Sequence, residues 1–576
     1  MRRFFKSWTV GLVIGLGLLS GAMAGVGLGP LDDRLKQPID RVVDKASRAA
    51  TGTNGAAFTA AGATHTNPAQ VPALAAQKLA LNLPGKLPGG RFLVGADAVN
   101  LLPSPKLFGG EQWQTEGCTR VEEGELDRTH VLPGDGHGHP FASKDCIYLG
   151  GFGIPAPVRP AVEYDDGGVW VRTLAISNGE STVVMQILDA VGWFYKYAPA
   201  ICDGCGIADM RAKIEADTGI PAENISIGAT HSHAGPDGYG GWGGLPTWYW
   251  NQIRDSVIAS AKAALFNLEP ATITVGEAVL RDFNNERRDH YYSTADYQAT
   301  WLQAHALSGG VLATLANYAG HPTFVGGPVL HADWPGATAR ELEATHGGVG
   351  LLFEGGLGNV SFRGRGGETE DEEAENAGRA FADALSVDIA DGGTTLGTND
   401  VASSASTIAH PVTNPVLAGG GLVSLFARDF LPSGGGAAPA PYHWAKGGAP
   451  NPAEPDPGQL GYLRGCDTAS ALGVTTVVGG FRVGNALMLF APGEIFSNIT
   501  EVAKSKTPGS AMTFVFGQMN DSLGYIIQSF EFDILSNAAT EYGTMTAEYE
   551  EFFAIDRCFG DHVTQSLIDA GRALGF

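Results

Sequence analysis

The sequence predicts an α/β fold: a mixed β-sheet core with surrounding helices, and active-site loops at strand ends. Three observations carry this. Apolar runs such as Val311–Tyr318 read as buried strands. Segments with a helical apolar period stand between them, and 252–268 is the clearest. Most of the runs stop at Gly- or Pro-containing breaks that carry His, Glu, Ser or Tyr, and loops at such places hold chemistry.

Bulk properties narrow the class. At 576 residues the chain is one large domain or two fused ones. With 44% hydrophobic and 17% charged residues, and 81 glycines, it is globular and loop-rich rather than disordered. A net charge of -24 excludes a general attraction for nucleic acid or an anionic membrane surface.

In chain order, Arg2, Arg3 and Lys6 precede an apolar run from Val10 to Leu19, and Ala22-Met23-Ala24 gives a small-x-small end. That pattern predicts a signal peptide over 1–24 and an exported protein, secreted or at the cell surface. The run is short for a membrane span, and no other stretch is long and apolar enough. Residues 25–90 are Ala-, Gly- and Pro-rich and read as a linker or weakly ordered arm. Six cysteines in an exported chain permit three bridges. Cys202 and Cys205 read as a small structural disulfide, Cys118 with Cys146 would close one insertion, and Cys466 and Cys558 remain to pair. In that insertion His137 and His139, set among glycines, read as solvated loop residues rather than metal ligands.

Residues 92–97 open the ordered part as a strand. Residues 169–176 and 183–188 form a hairpin around Asn178-Gly179. Asp189 then ends a strand, as a cap or turn residue or as the acceptor for a ligand histidine's N–H. A helix around 210–216 leads to the strand ending at His231. Residues 272–279, 351–353 and 512–517 read as further strands, and 479–490 as a hairpin turning at Gly484-Asn485. The acids 368–375 open a helix to Leu385, where they complement its dipole. Residues 419–458 are a Gly/Pro-rich irregular excursion.

The chemistry centres on Thr230-His231-Ser232-His233-Ala234-Gly235-Pro236. Two histidines at i and i+2 share one face of a strand if it persists to that point. Downstream come His321-Pro322, Asn359-Val360-Ser361, Pro492-Gly493-Glu494 and Gly524-Tyr525. In order and approximate spacing the set resembles the neutral/alkaline, non-lysosomal ceramidase family of zinc amidases. The resemblance spans roughly 92–545, and the first block stands against the family's Thr-His-Thr-His-Ser-Gly-Pro. The family's C-terminal immunoglobulin-like domain finds no counterpart, and 91–576 would be the hydrolase domain alone.

That resemblance implies one Zn²⁺ held by His231, His321, Glu494 and Tyr525. The ion would polarise an amide carbonyl and lower the pKa of bound water from about 16 toward about 7. It implies His233 as general base or oxyanion donor and Ser361 as nucleophile. The family's Asn-Arg aligns with Asn284-Asn285-Glu286-Arg287-Arg288, so Arg287 or Arg288 would meet the substrate. Phe362-Arg363 replaces the family's Pro-Asn after the serine. A structural Ca²⁺ or Mg²⁺ is left open. The implied partner is a lipid or lipid-like amide such as ceramide. Three other readings stay open: a hydrolase of a different amide or ester, a metal-free serine hydrolase, and an exported binding protein without turnover.

Overall fold

Val183, Met185 and Ile187 point to one side of their strand and Val184 and Leu188 to the other, and the two sets enter different cores. A strand buried on both faces has that property. The computed structural model describes residues 65–532 and 549–576, apart from 82, 109–145, 154–158, 200, 289–293, 415–416, 418–426, 430, 433–443, 446–448 and 451–471. All of these lie in one compact unit, 59–576. The signal sequence, His137, His139 and most of the excursion at 419–458 fall outside the described residues.

The central sheet contains β1 (Phe92–Asn100), β2 (Trp170–Ser177), β3 (Thr182–Leu188), β4 (Ile225–Ala229), β5 (Glu269–Val279), β6 (Gln298–Ala306), β7 (Val311–Tyr318) and β8 (Val349–Glu354). Their order in space is β8-β7-β6-β5-β1-β2-β3-β4. β3–β4 and β7–β8 pair parallel and the other neighbours antiparallel, so the sheet is mixed as expected. A second sheet orders β9 (Val401–Pro411), β10 (Leu472–Val483), β11 (Ala486–Phe490) and β12 (Met512–Phe516). The sequence did not announce two sheets, because β9 reads Val-Ala-Ser-Ser-Ala-Ser-Thr and lacks an apolar run.

One core lies between the sheets. Val94, Met185, Leu315 and Phe353 of the first meet Phe481, Met488 and Phe516 of the second. Helices cover the remaining faces. α1 (Ile207–Thr218) and α2 (Thr247–Phe266) pack Met210, Ile253 and Val257 over β1 to β4. α3 (Asp333–His346) and α4 (Glu370–Asp391) pack Leu342 and Phe381 over β6 to β8. α5 (Ser497–Lys506) and α6 (Phe559–Ala573) pack Ile499 and Leu567 on the second sheet. Thr369 caps α4 by accepting from Glu372 N–H at 3.2 Å, and four acids fill its first turn.

One expectation needs correction, and one open alternative is resolved. The arm read over 25–90 is structured from His65 onward: His65–Thr66 pairs with β1, and Val71, Leu74 and Ala75 of a short helix pack into the core at helical spacing. Asp189 serves no histidine. It accepts from Arg172 Nη1 at 3.1 Å and Trp170 N at 2.8 Å, a buried pair between β2 and the residue that follows β3. Glu494 lies in a two-residue strand, and α5 starts just beyond it at Ser497. Cys202 and Cys205 form the expected disulfide, and Cys146 and Cys558 are also disulfide-bonded.

Candidate metal centre

The loops converge because the strands before them end together. β7 and β8 are parallel neighbours, and just beyond them a backbone bridge joins His321 to Ser361. β11 and β12 are also parallel, and the loops after them set Glu494 opposite Tyr525 in a short parallel ladder. β4 joins through a bridge from Gly228 to Met519. A Cβ at Gly228 would lie 2.2 Å from Met519 Sδ, so that approach demands glycine. Gly358 meets the same demand, with a Cβ there falling 2.4 Å from Glu494 O.

The structure thereby brings His231, His233 and His321 together, with their nearest ring nitrogens within 4.8 Å of one another. Their protonation follows from their partners. His231 Nδ1 lies 2.5 Å from Val191 O, His233 Nδ1 2.7 Å from Gly151 O, and His321 Nδ1 3.3 Å from Leu357 O. A carbonyl only accepts, so each Nδ1 carries a proton, and in a neutral ring the Nε2 then presents a lone pair. Burial, with the neighbouring imidazoles and cations behind it, lowers the His233 and His321 pKa values well below the usual range, so these rings are neutral. His231 and His233 Nε2 stand 3.3 Å apart. Glu494 Oε2 lies 3.3 Å from His231 Nε2 and 3.7 Å from His321 Nε2, and it is buried without a hydrogen-bond partner. Three converging lone pairs and an orphaned carboxylate oxygen fit a divalent cation such as zinc, with each ring held by its other nitrogen.

Backbone strain collects at the same place. Among the described residues the non-glycines with positive φ are His231 (63°), Asp333 (55°), Gln518 (56°) and Asn520 (65°). His231 leaves the strand conformation here, so its face is set by this left-handed residue and not by strand alternation. Gln518 reaches His231 Nδ1 at 3.2 Å. Asn520 N–H donates to Ile227 O at 2.7 Å and ties its loop to β4. Asp333 accepts from Phe324 and Val325 N–H at 2.9 and 3.2 Å, which braces the loop after His321.

Arg287 and Arg288 part company. Arg287 donates to Tyr525 Oη at 3.0 Å, to Gly358 O at 2.7 Å and to Glu550 at 2.9 Å. Arg288 turns to Glu551 at 2.5 Å. Burial first, then Glu494, raises the Tyr525 phenol pKa well above its usual range. Ser361 is partly exposed and makes no side-chain hydrogen bond among the described residues. Phe362 after it turns inward and stacks on Trp334 at 3.8 Å, which accommodates the departure from the family's proline.

A second group, Asp165, His331 and Glu375, fails the same test. His331 Nδ1 accepts from Asp333 N–H at 2.7 Å, so its neutral ring carries the proton on Nε2 and offers the carboxylates an N–H.

A cavity opens on the first cluster. His231, His233, Glu494 and Tyr525 line one part, and Phe194, Tyr239, Trp242, Phe553 and Ile555 line another. Arg287, His321 and Ser361 are not among its lining residues. Sequence reasoning missed Tyr239 and Gln518. The only signals were their positions, eight residues after His231 and just after a strand ending in Gly517.

No family model and no curated protein matches this sequence. Solved structures share its fold. The crystal structure of neutral ceramidase from Pseudomonas aeruginosa superposes with a TM-score of 0.56 at 16% identity, covering 86% of this chain and 75% of that one. A ceramidase complexed with C2 gives a TM-score of 0.55 with the same identity and coverage.

Proposed function

We propose that this protein is an exported zinc-dependent amidase that cleaves the N-acyl bond of ceramide or a related lipid amide. The observation that carries the reading is the set of three imidazole lone pairs and the orphaned Glu494 oxygen at an aromatic-lined cavity. The fold shared with solved neutral ceramidases supports the amide class. The signal-type N-terminus and the disulfides support export. Among the described residues no helix is long and apolar enough to cross a membrane.

In this reading His231, His321 and Glu494 are ligands and Tyr525 completes the set. When bound, zinc polarises the amide carbonyl as a Lewis acid. Ser361 is the nucleophile, on the strand bridged to His321. His233 is anchored through Nδ1–H to Gly151 O, and its free Nε2 takes the nucleophile's proton and returns it to the leaving nitrogen. Arg287 orients the Tyr525 phenol. The aromatic walls exclude water and receive an apolar chain.

The test measures fatty-acid release from a long-chain ceramide and from a panel of short N-acyl amides. The enzyme is assayed as purified, after chelation, and after zinc is restored. Zinc-restored cleavage of ceramide is expected. Turnover confined to short amides would replace the lipid assignment with the broader hydrolase, and activity indifferent to chelation would remove the metal.

A further inference from the structure

Arg159 spends its guanidinium on main chain. Nη1 donates to Gly150 O at 2.8 Å and to His233 O at 3.1 Å. Nη2 donates to Gly327 O at 2.9 Å and to Val325 O at 3.3 Å. The remaining nitrogen, Nε, is buried without a partner. Among the described residues, then, every hydrogen bond of this side chain goes to a backbone carbonyl. Burial lowers the Arg159 pKa, and Glu370 and Asp333 oppose that without being hydrogen-bonded to it. Taking a charge out of water is costly when no acid pairs with it, so the arrangement calls for a reason beyond charge pairing.

The four carbonyls belong to three segments that meet around His233. Gly150 precedes Gly151, whose carbonyl takes the His233 Nδ1–H at 2.7 Å. Phe152 follows and stacks on the imidazole, with ring centroids 4.5 Å apart and planes 19° apart. Val325 and Gly327 lie in the loop that leaves His321, and His233 N–H donates to Pro322 O in that loop at 3.1 Å. Arg159 therefore ties the main chain of His233 to the segment that holds its ring and to the loop beyond His321. The approach is close: a Cβ on Gly150 would fall 2.7 Å from Val191 Cβ and 3.1 Å from His233 O. A planar fork can bridge two pairs of carbonyls at fixed angles, which an ammonium on a flexible stem cannot.

We propose that Arg159 is a positioning residue for His233, and that its fork sets where His233 Nε2 stands relative to the other imidazoles. This rests on the amidase reading above, in which His233 moves the proton, and adds to it a residue that touches neither substrate nor metal. A proton-transfer group works only from the right place, and a misplacement of about 1 Å can cost on the order of 10²-fold in rate.

The test compares the zinc-loaded full chain with Arg159→Lys, which keeps the charge and loses the fork, and with Arg159→Gln, which loses the charge and keeps one planar amide. kcat and KM are measured on an amide that the wild type cleaves, and kcat is taken per bound zinc so that any unfolded fraction drops out. The expected result is a kcat about 10–100-fold lower in both variants, with KM and the zinc bound per folded chain unchanged. A wild-type kcat per bound zinc in either variant overturns the proposal. A fall in activity that only tracks lost zinc also overturns it, because Arg159 would then hold the ligand loops and not the base. Loss of the fold in both variants overturns it as well, since the guanidinium would then serve the fold alone. The two readings fail differently: an inactive wild type removes the amidase, whereas an active wild type with unaffected variants removes only the role of Arg159.

Discussion

Glu494 and Tyr525 face each other across a two-residue parallel ladder, and both line the cavity. The ladder sets the depth of a carboxylate relative to a phenol without needing any contact between them. Glu494→Gln keeps the shape and removes the charge. It should weaken zinc binding more than about 100-fold, beyond the usual cost of losing an outer-shell partner. Competition against a chromophoric chelator reads this directly, and unchanged affinity would take Glu494 out of the ligand set.

The two arginines offer a paired test. Arg287→Ala should lower kcat about tenfold or more in the folded fraction, because it frees the Tyr525 phenol. Arg288→Ala removes the guanidinium facing Glu551, at a site where both side chains are nearly inaccessible. It should cost about 3 kcal/mol of unfolding free energy and spare kcat in the folded fraction. Denaturant titrations beside steady-state kinetics separate the two. The reverse pattern would exchange their roles.

Chelation should lower the melting temperature as well as activity, since an ion bound only by the native state at 100 times its Kd adds about 2.7 kcal/mol. Ser361→Ala should abolish turnover and leave both the zinc content and the chelator-induced shift in place. Residual turnover near the wild-type rate would pass the attack to water.

One pH effect lies away from the centre. Asp97 is fully buried, and desolvation lifts its pKa from 3.8 to about 7 against the opposing hydrogen bond from Thr66. The folded state therefore keeps a proton that the unfolded chain releases. Stability from this group is complete below about pH 4 and falls as pH rises toward 7. Asp97→Asn should flatten that slope in urea titrations taken at several pH values. A slope identical to the wild type's would show that Asp97 is ionised in the fold.

Strands were legible where both faces are buried. Val311–Tyr318 was readable to the residue, and the turn at Asn178-Gly179 follows from the positive φ of 93° that Gly179 supplies. The proposed ligand set was legible only as a resemblance, since nothing local distinguishes Glu494 from a helix cap or Tyr525 from a core tyrosine. What stayed hidden depends on backbone atoms. Val191 O, rather than the Asp189 carboxylate, holds His231, and every residue carries a carbonyl. The left-handed turns at His231 and Gln518 were equally silent, because neither residue type advertises positive φ.

The contact between Gly228 and Met519 joins positions about half the chain's length apart. On the proposed ligand set the imidazoles belong to the first sheet's loops, and the carboxylate and phenol to loops some 170 residues further on. No fragment ending before Tyr525 contains a whole coordination sphere. On that set the complete sphere forms only where the loops of the two sheets meet, so the ion would tie one sheet to the other.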